Sequence, residues 1–132
     1  MKIGLDTNIL VRYLTEDDPE QADRVQELFD SYKSEATFII NEVILAELDW
    51  VLTSVYGYSR KEFLMVIEQI FETKHISFSQ PTVVKKAIRE YASSSADFLD
   101  CYIGILNKKM DTKITFTFDK AASNLAHFSL LQ

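Results

Sequence analysis

Residues 1–20, MKIGLDTNILVRYLTEDDPE, decide how the chain is to be folded. A short apolar run, KIGL at 2–5, stops on an acid, Asp6. Thr7 and Asn8 then lead at once into Ile9, Leu10, Val11 and Leu14, whose spacing is helical. In parallel α/β proteins the reactive crevice lies outside the carboxyl ends of the strands, and Asp6 sits at such an end. The acid therefore reads as a placed group rather than a chain terminator.

The same alternation continues along the chain. Pro19, with Asp18 as its cap, starts a helix carrying Ala22, Val25, Leu28 and Phe29 at helical spacing. TFII at 37–40 reads as a strand, and Asn41 caps a helix running to about Tyr56. Ser59 with Glu62 makes a capping-box pattern ahead of Phe63, Leu64, Ile67, Ile70 and Phe71. HISF at 75–78 predicts a short strand, 81–92 a helix and 97–110 another; KITFTF at 113–118 predicts a strand ending on Asp119, and HFSLL at 127–131 a last one. Strands separated by helices require crossover connections, hence a parallel sheet covered on both faces.

At 132 residues with 47% hydrophobic content, one globular domain spanning 1–132 is expected. No apolar run approaches the ~20 residues that cross a bilayer. Lys2 alone precedes a run that Asp6 interrupts, so no secretory signal is expected. The single cysteine, Cys101, permits no internal disulfide, and the expected compartment is the reducing cytoplasm. The formal charge of −6 argues against broad adhesion to nucleic acid. It is uneven, however: residues 1–72 hold 6 Lys and Arg against 15 Asp and Glu, and residues 73–132 hold 8 against 5. A local basic surface from Lys85, Lys86, Arg89, Lys108, Lys109, Lys113 and Lys120 is compatible with that balance, as is an ordinary solvated helix face.

Most of the acids form such a solvated face, but a few stand out. Glu47 falls on the same helical stripe as Val43, Ile44 and Val51, so it is expected to face the sheet. At ~100° per residue, Glu42 lies about 140° and Asp49 about 160° away from it. A carboxylate on a buried stripe must be paired, metal-bound or protonated. Asp97 and Asp100 share a face at the start of one helix, where capping and the helix dipole are sufficient reasons for acids. Gly104 on the Asp100 face leaves room for another element to approach. Asp119 repeats the strand, acid, helix order of Asp6, with capping again the structural alternative, and Thr117 alternates away from Phe116 and Phe118. Converging carboxylates need a cation or shared protons. His75 and His127 stand far from these motifs in sequence and Cys101 is an isolated cysteine, so the donors are oxygens, which suits Mg²⁺ or Mn²⁺ rather than a structural zinc.

Five blocks in order, DTNILVRYLTEDDPEQA (6–22), LAELDWVL (45–52), YGYSRKEF (56–63), DFLDCYIG (97–104) and TFTFDKAA (115–122), resemble the PIN-domain ribonucleases, and specifically the VapC-type toxins of prokaryotic toxin–antitoxin pairs. The resemblance implies a three-layer α/β/α sandwich around a parallel sheet. It implies a catalytic acidic quartet of Asp6, Glu47, Asp100 and Asp119, with Asp97 as an accessory acid and Asp6, Asp100 and Asp119 as metal ligands. Asn8 would orient Asp6, and Thr117 would hold a metal-bound water or an acid. It further implies a Mg²⁺- or Mn²⁺-dependent endoribonuclease acting on RNA such as tRNA or rRNA, silenced by a cognate antitoxin and dimeric. Trp50, Tyr56 and Tyr58 are aromatic residues of the kind that anchor such a partner, with a core position as the alternative for Trp50.

Two other functions fit parts of the pattern. An aspartyl-phosphate phosphatase or phosphotransferase would use Asp6 as nucleophile, but typically has a second acid two residues on, where this chain has Asn8. A catalytically idle PIN-like binding or regulatory domain would keep the acids only for stability.

Overall fold

Each of the first three strands is followed within two residues by a polar side chain that starts or precedes a helix. A computed structural model describes residues 1–132. Two compact units divide the chain, Met1–Ser79 and Gln80–Gln132.

In the first unit, strands β1 (Lys2–Gly4), β2 (Thr37–Ile40) and β3 (Ile76–Phe78) form a parallel sheet in that order. Ile3 pairs with Phe38, and Phe38 with Ile76. The connections are helical: α1 (Thr7–Thr15) and α2 (Pro19–Tyr32) link β1 to β2, and α3 (Glu42–Trp50) and α4 (Arg60–Glu72) link β2 to β3. All three strands therefore point their carboxyl ends the same way, and that end carries Asp6 and the start of α3.

The caps read from the sequence are made. The Asp18 carboxylate accepts from Gln21 N–H at 3.1 Å, and Asn41 Oδ1 accepts from Ile44 N–H at 2.9 Å. Ser59 Oγ accepts from Glu62 N–H at 3.1 Å while Glu62 Oε1 accepts from Ser59 N–H at 3.0 Å, satisfying two helix-end donors reciprocally. Phe38 and Ile40 on β2, Leu10 and Val11 on α1, Leu45 and Leu48 on α3 and Phe63, Ile67 and Ile70 on α4 are buried together in this unit's core.

Past Trp50 the α3 helix widens into a π-helical turn, Val51–Val55, in which Tyr56 N–H bonds to Val51 O at 3.1 Å. The turn brings Tyr56 to Asp17, whose carboxylate accepts from the phenol at 2.6 Å. That bond, followed by one from the Thr15 hydroxyl, holds the Asp17 carboxyl below its ordinary value.

In the second unit, α5 (Pro81–Ala92) packs on α6 (Phe98–Lys109), and β4 (Thr115–Thr117) pairs in parallel with β5 (Phe128–Leu130) through a short 3₁₀ turn at Ala122–Asn124. Val83, Val84, Ala87 and Tyr91 of α5 meet Phe98, Cys101 and Tyr102 of α6 in its core. Gly104 has a specific reason to be glycine. A Cβ there would stand 2.3 Å from the Phe128 ring, so the bare backbone of α6 is what lets β5 lie against it.

Candidate functional site

The first unit builds one group of acids around a single residue, Thr7. Asp6 follows β1 in extended backbone (φ −80°, ψ 160°) and caps α1, its Oδ1 accepting from Thr7 N–H at 2.7 Å. The Thr7 side chain is buried, and its hydroxyl donates to Glu47 Oε2 at 2.9 Å. One residue thus fixes both carboxylates, a role that sequence reasoning missed. Its only signal there is a hydroxyl at the first helical position, directly behind a strand-end acid.

The stripe that Glu47 shares with Val43, Ile44 and Val51, expected from the sequence to face the sheet, is not the buried one. The buried face of α3 and its π turn is Leu45, Leu48 and Leu52, while Val43 is 64% exposed and Ile44 and Val51 are half-buried. The helix is apolar nearly all round, so periodicity could not single out a face. Tertiary packing buried the leucines and left Glu47 exposed, within reach of the Thr7 hydroxyl. Glu42 and Asp49 are half-buried, and Glu42 Oε1 accepts from the Ser79 hydroxyl at 3.4 Å. Asn8 is exposed beside Arg12 and Gln21 on the rim of a shallow cleft between α1 and α2, and the amide that holds the Asp6 carboxylate belongs to Thr7.

The second unit brings three acids together directly. Carboxylate oxygens of Asp97, Asp100 and Asp119 lie within 4.8 Å of one another. Asp97 occupies the cap position of α6 but makes no side-chain cap bond, so the capping explanation does not hold for its carboxylate. Asp100 lies in the first turn of the same helix and is half-buried. Burial, then the charge of Asp119, then that of Asp97, push its carboxyl above the ordinary range.

Asp119 follows β4 and does cap: its Oδ1 accepts from Ala122 N–H at 3.0 Å and its carbonyl from Ser123 N–H at 3.0 Å. Capping and convergence are thus compatible, because a carboxylate has two oxygens. Thr117 acts on the backbone, its Oγ1 accepting from Asp119 N–H at 3.0 Å and setting the direction in which that acid leaves the strand.

The donor set fits a hard divalent cation. Opposite oxygen ligands on Mg²⁺ are ~4.2 Å apart, close to the spread of these three carboxylates. The unrelieved repulsion at Asp100 is what a cation would remove. No histidine or cysteine belongs to the cluster, and those are the ligands from which structural zinc sites are built.

A parallel α/β chain with strand-end acids and an all-oxygen cluster defines a class of protein, and comparison with known sequences agrees. The PIN domain family profile matches residues 3–127, and the chain belongs to that family. Membership bears out the PIN-like α/β fold expected from the sequence. The chain is also similar to a VapC ribonuclease of Aquifex aeolicus (strain VF5), 28% identical over 123 residues that cover 92% of this chain and 90% of that protein.

Proposed function

We infer that this protein is an endoribonuclease that hydrolyses RNA phosphodiester bonds with a divalent cation, Mg²⁺ or Mn²⁺, as the toxin of a toxin–antitoxin pair. The convergence of Asp97, Asp100 and Asp119 carries the reading, since three carboxylates are held together in a PIN domain at a mutual cost in repulsion. Similarity to a protein named VapC ribonuclease supports the choice of RNA as substrate. The whole chain, 1–132, serves as one nuclease domain, and Asp6, Glu47, Asp100 and Asp119 serve the reaction.

Asp100 and Asp119, with Asp97 beside them, would offer oxygens to a cation, with Asp6 as the third ligand that the family resemblance implies, and a bound cation would supply Lewis-acid charge for the attacking water and the leaving oxygen. In the reaction a water oxygen bonds to phosphorus as the bond to the 3′ oxygen breaks. The water gives up a proton, the leaving oxygen takes one, and the ends are a 5′-phosphate and a 3′-hydroxyl. Thr7 keeps the Asp6 and Glu47 carboxylates oriented, and Thr117 does the same for Asp119 through its backbone. An aspartyl-phosphate route on Asp6 is not favoured, because Asn8 stands where the second acid is wanted.

The partners that go with this reading are a cognate antitoxin and a second copy of the chain, in the cytoplasm. No helix is long and apolar enough to cross a membrane. Trp50 is 62% exposed rather than core, which leaves it available as an anchor for the antitoxin.

The test is incubation of the purified chain with total RNA and Mg²⁺ or Mn²⁺, with a chelator control and end mapping. Asp6→Asn, Asp100→Asn and Asp119→Asn should each lower cleavage by ~10² or more. Glu47→Gln should do likewise, while Glu42→Gln and Asp49→Asn leave most activity. Metal-independent cutting, or full activity in all of the aspartate variants, would sink the reading.

A further inference from the structure

The excess of cations in the carboxyl-terminal half gathers on one feature of the second unit. A groove of about 590 Å³ is lined by Lys86, Arg89 and Glu90 of α5 and by Lys108 and Lys109 of α6, and His127 also contributes to its wall. Four permanent cations face one carboxylate.

Ordinary helix chemistry explains part of this, because Arg89, Lys108 and Lys109 lie in last helical turns, where the dipole favours positive charge. It does not explain Lys86, in the middle of α5. Nor are the cations consumed by neighbours. Lys109 donates to Gln80 Oε1 at 2.6 Å, which leaves its charge intact, and Lys86, Arg89 and Lys108 take part in no ion pair. Glu90 is the one acid present, and burial pushes its carboxyl up against the opposing charges of His127 and then Lys108.

The groove is also not a counter-charge for the acid cluster, because the charges that act on Asp100 are those of Asp119 and Asp97. Lys108 is eight residues beyond Asp100 on α6, ~12 Å along the axis, more than a Debye length of ~8 Å at physiological salt.

Its geometry is that of a track. One wall carries Lys86 and Arg89, the facing wall Lys108 and Lys109, and Val83, Gly104 and Ile105 supply apolar lining. His127 adopts the left-handed conformation (φ 69°), and Phe128 beside it packs on the bare Gly104. Cations in two facing rows, over a volume larger than one phosphate, suit a polyanion lying between the helices.

We propose that the α5–α6 groove is a phosphate-backbone track that holds single-stranded RNA outside the acid cluster, through Lys86, Arg89, Lys108 and Lys109. This rests on the reading of the protein as a ribonuclease and adds how the substrate is held. The bonds are to phosphate, so they set position and affinity rather than base sequence.

The test is anisotropy of a short labelled single-stranded RNA with the full chain in chelator, where no cleavage occurs, across about 50 to 200 mM salt. Lys86→Ala/Arg89→Ala/Lys108→Ala should weaken binding about tenfold or more and flatten the log–log salt slope by ~2, at ~0.7 for each phosphate that is no longer neutralised. Lys86→Arg/Lys108→Arg, which keeps the charge, should bind like the parent, and Lys2→Ala/Lys61→Ala should lose less than about twofold. Unchanged affinity and slope in the triple variant overturns the proposal, and so does a parent chain that binds no RNA. Polyglutamate bound in place of RNA, with its loss confined to the groove variant, assigns the groove to an acidic peptide and equally overturns it. Cleavage with Mn²⁺ is scored separately. A chain that binds through the groove and cuts nothing refutes the ribonuclease reading alone, while one that cuts with groove-independent binding refutes the track alone.

Discussion

Replacing Asp100 with asparagine should stabilise the metal-free protein and abolish its response to metal. Two unit charges at the 4.8 Å limit of this cluster repel by ~1 kcal/mol in water-like surroundings and by ~3 kcal/mol at an effective dielectric of ~20. Asp97 and Asp119 are exposed, so the lower figure applies to each, about 2 kcal/mol in all. Against this, Asp100 is a first-turn acid, and losing its interaction with the α6 dipole costs ~0.5 kcal/mol. Repulsion wins, and the net gain of about 1–1.5 kcal/mol corresponds to ~3–5 °C in Tm for a chain of this size.

The pH dependence has a definite sign. The carboxyl of Asp100 is raised, so between 3.8 and its folded value the native state holds more protons than the unfolded chain. Metal-free stability therefore increases as pH falls through the folded value and levels off below 3.8. Asp100→Asn removes this contribution and leaves the one from Glu90, which is raised by burial. Mn²⁺ at ~100 times its Kd should stabilise the parent by ~2.7 kcal/mol and the variant little. The assay is thermal melting in chelator and in Mn²⁺ across pH. A variant that melts at or below the parent temperature in chelator, or that keeps the Mn²⁺ shift, would refute the electrostatic account of the cluster.

Thr7→Val keeps the shape of a buried side chain but removes the bond to Glu47, so cleavage should fall ~10-fold or more while the melting temperature moves little. Activity that survives this change would separate Glu47 from the chemistry. Gly104→Ala gains ~1 kcal/mol of helix propensity but drives a methyl into the Phe128 ring, for a net loss of ~1–2 kcal/mol. Pairing it with Phe128→Leu should recover most of the melting temperature, and no loss in the single variant would contradict the close packing. Tyr56→Phe removes the largest cause of the lowered Asp17 carboxyl, so the Asp17 titration followed by NMR should move up toward 3.8. The stability that this acid contributes, present above 3.8 and lost as pH falls through its lower folded value, should shrink accordingly.

The order of elements was legible from residues alone, because it rests on local chemistry. Asp18, Asn41, Ser59 with Glu62, and Pro81 mark helix starts through bonds or ring geometry spanning three or four residues. The acids at strand ends, Asp6 and Asp119, could likewise be placed once the strands before them were recognised. What sequence could not decide was every question that depends on which face meets which neighbour. On α3, with apolar residues nearly all round, the hydrophobic period has no preferred direction. Only tertiary packing, including that of α3 against α1, turned Leu45 and Leu48 inward and left Glu47 and Trp50 outward. The bridging role of Thr7 needed α1 and α3 side by side, forty positions apart in sequence. The convergence of Asp97 with Asp119, and the gathering of Lys86, Arg89, Lys108 and Lys109 along one groove, are of the same kind. A cap is satisfied within a few residues of itself, whereas a cluster of like charges exists only where the rest of the fold has enough stability to hold it together.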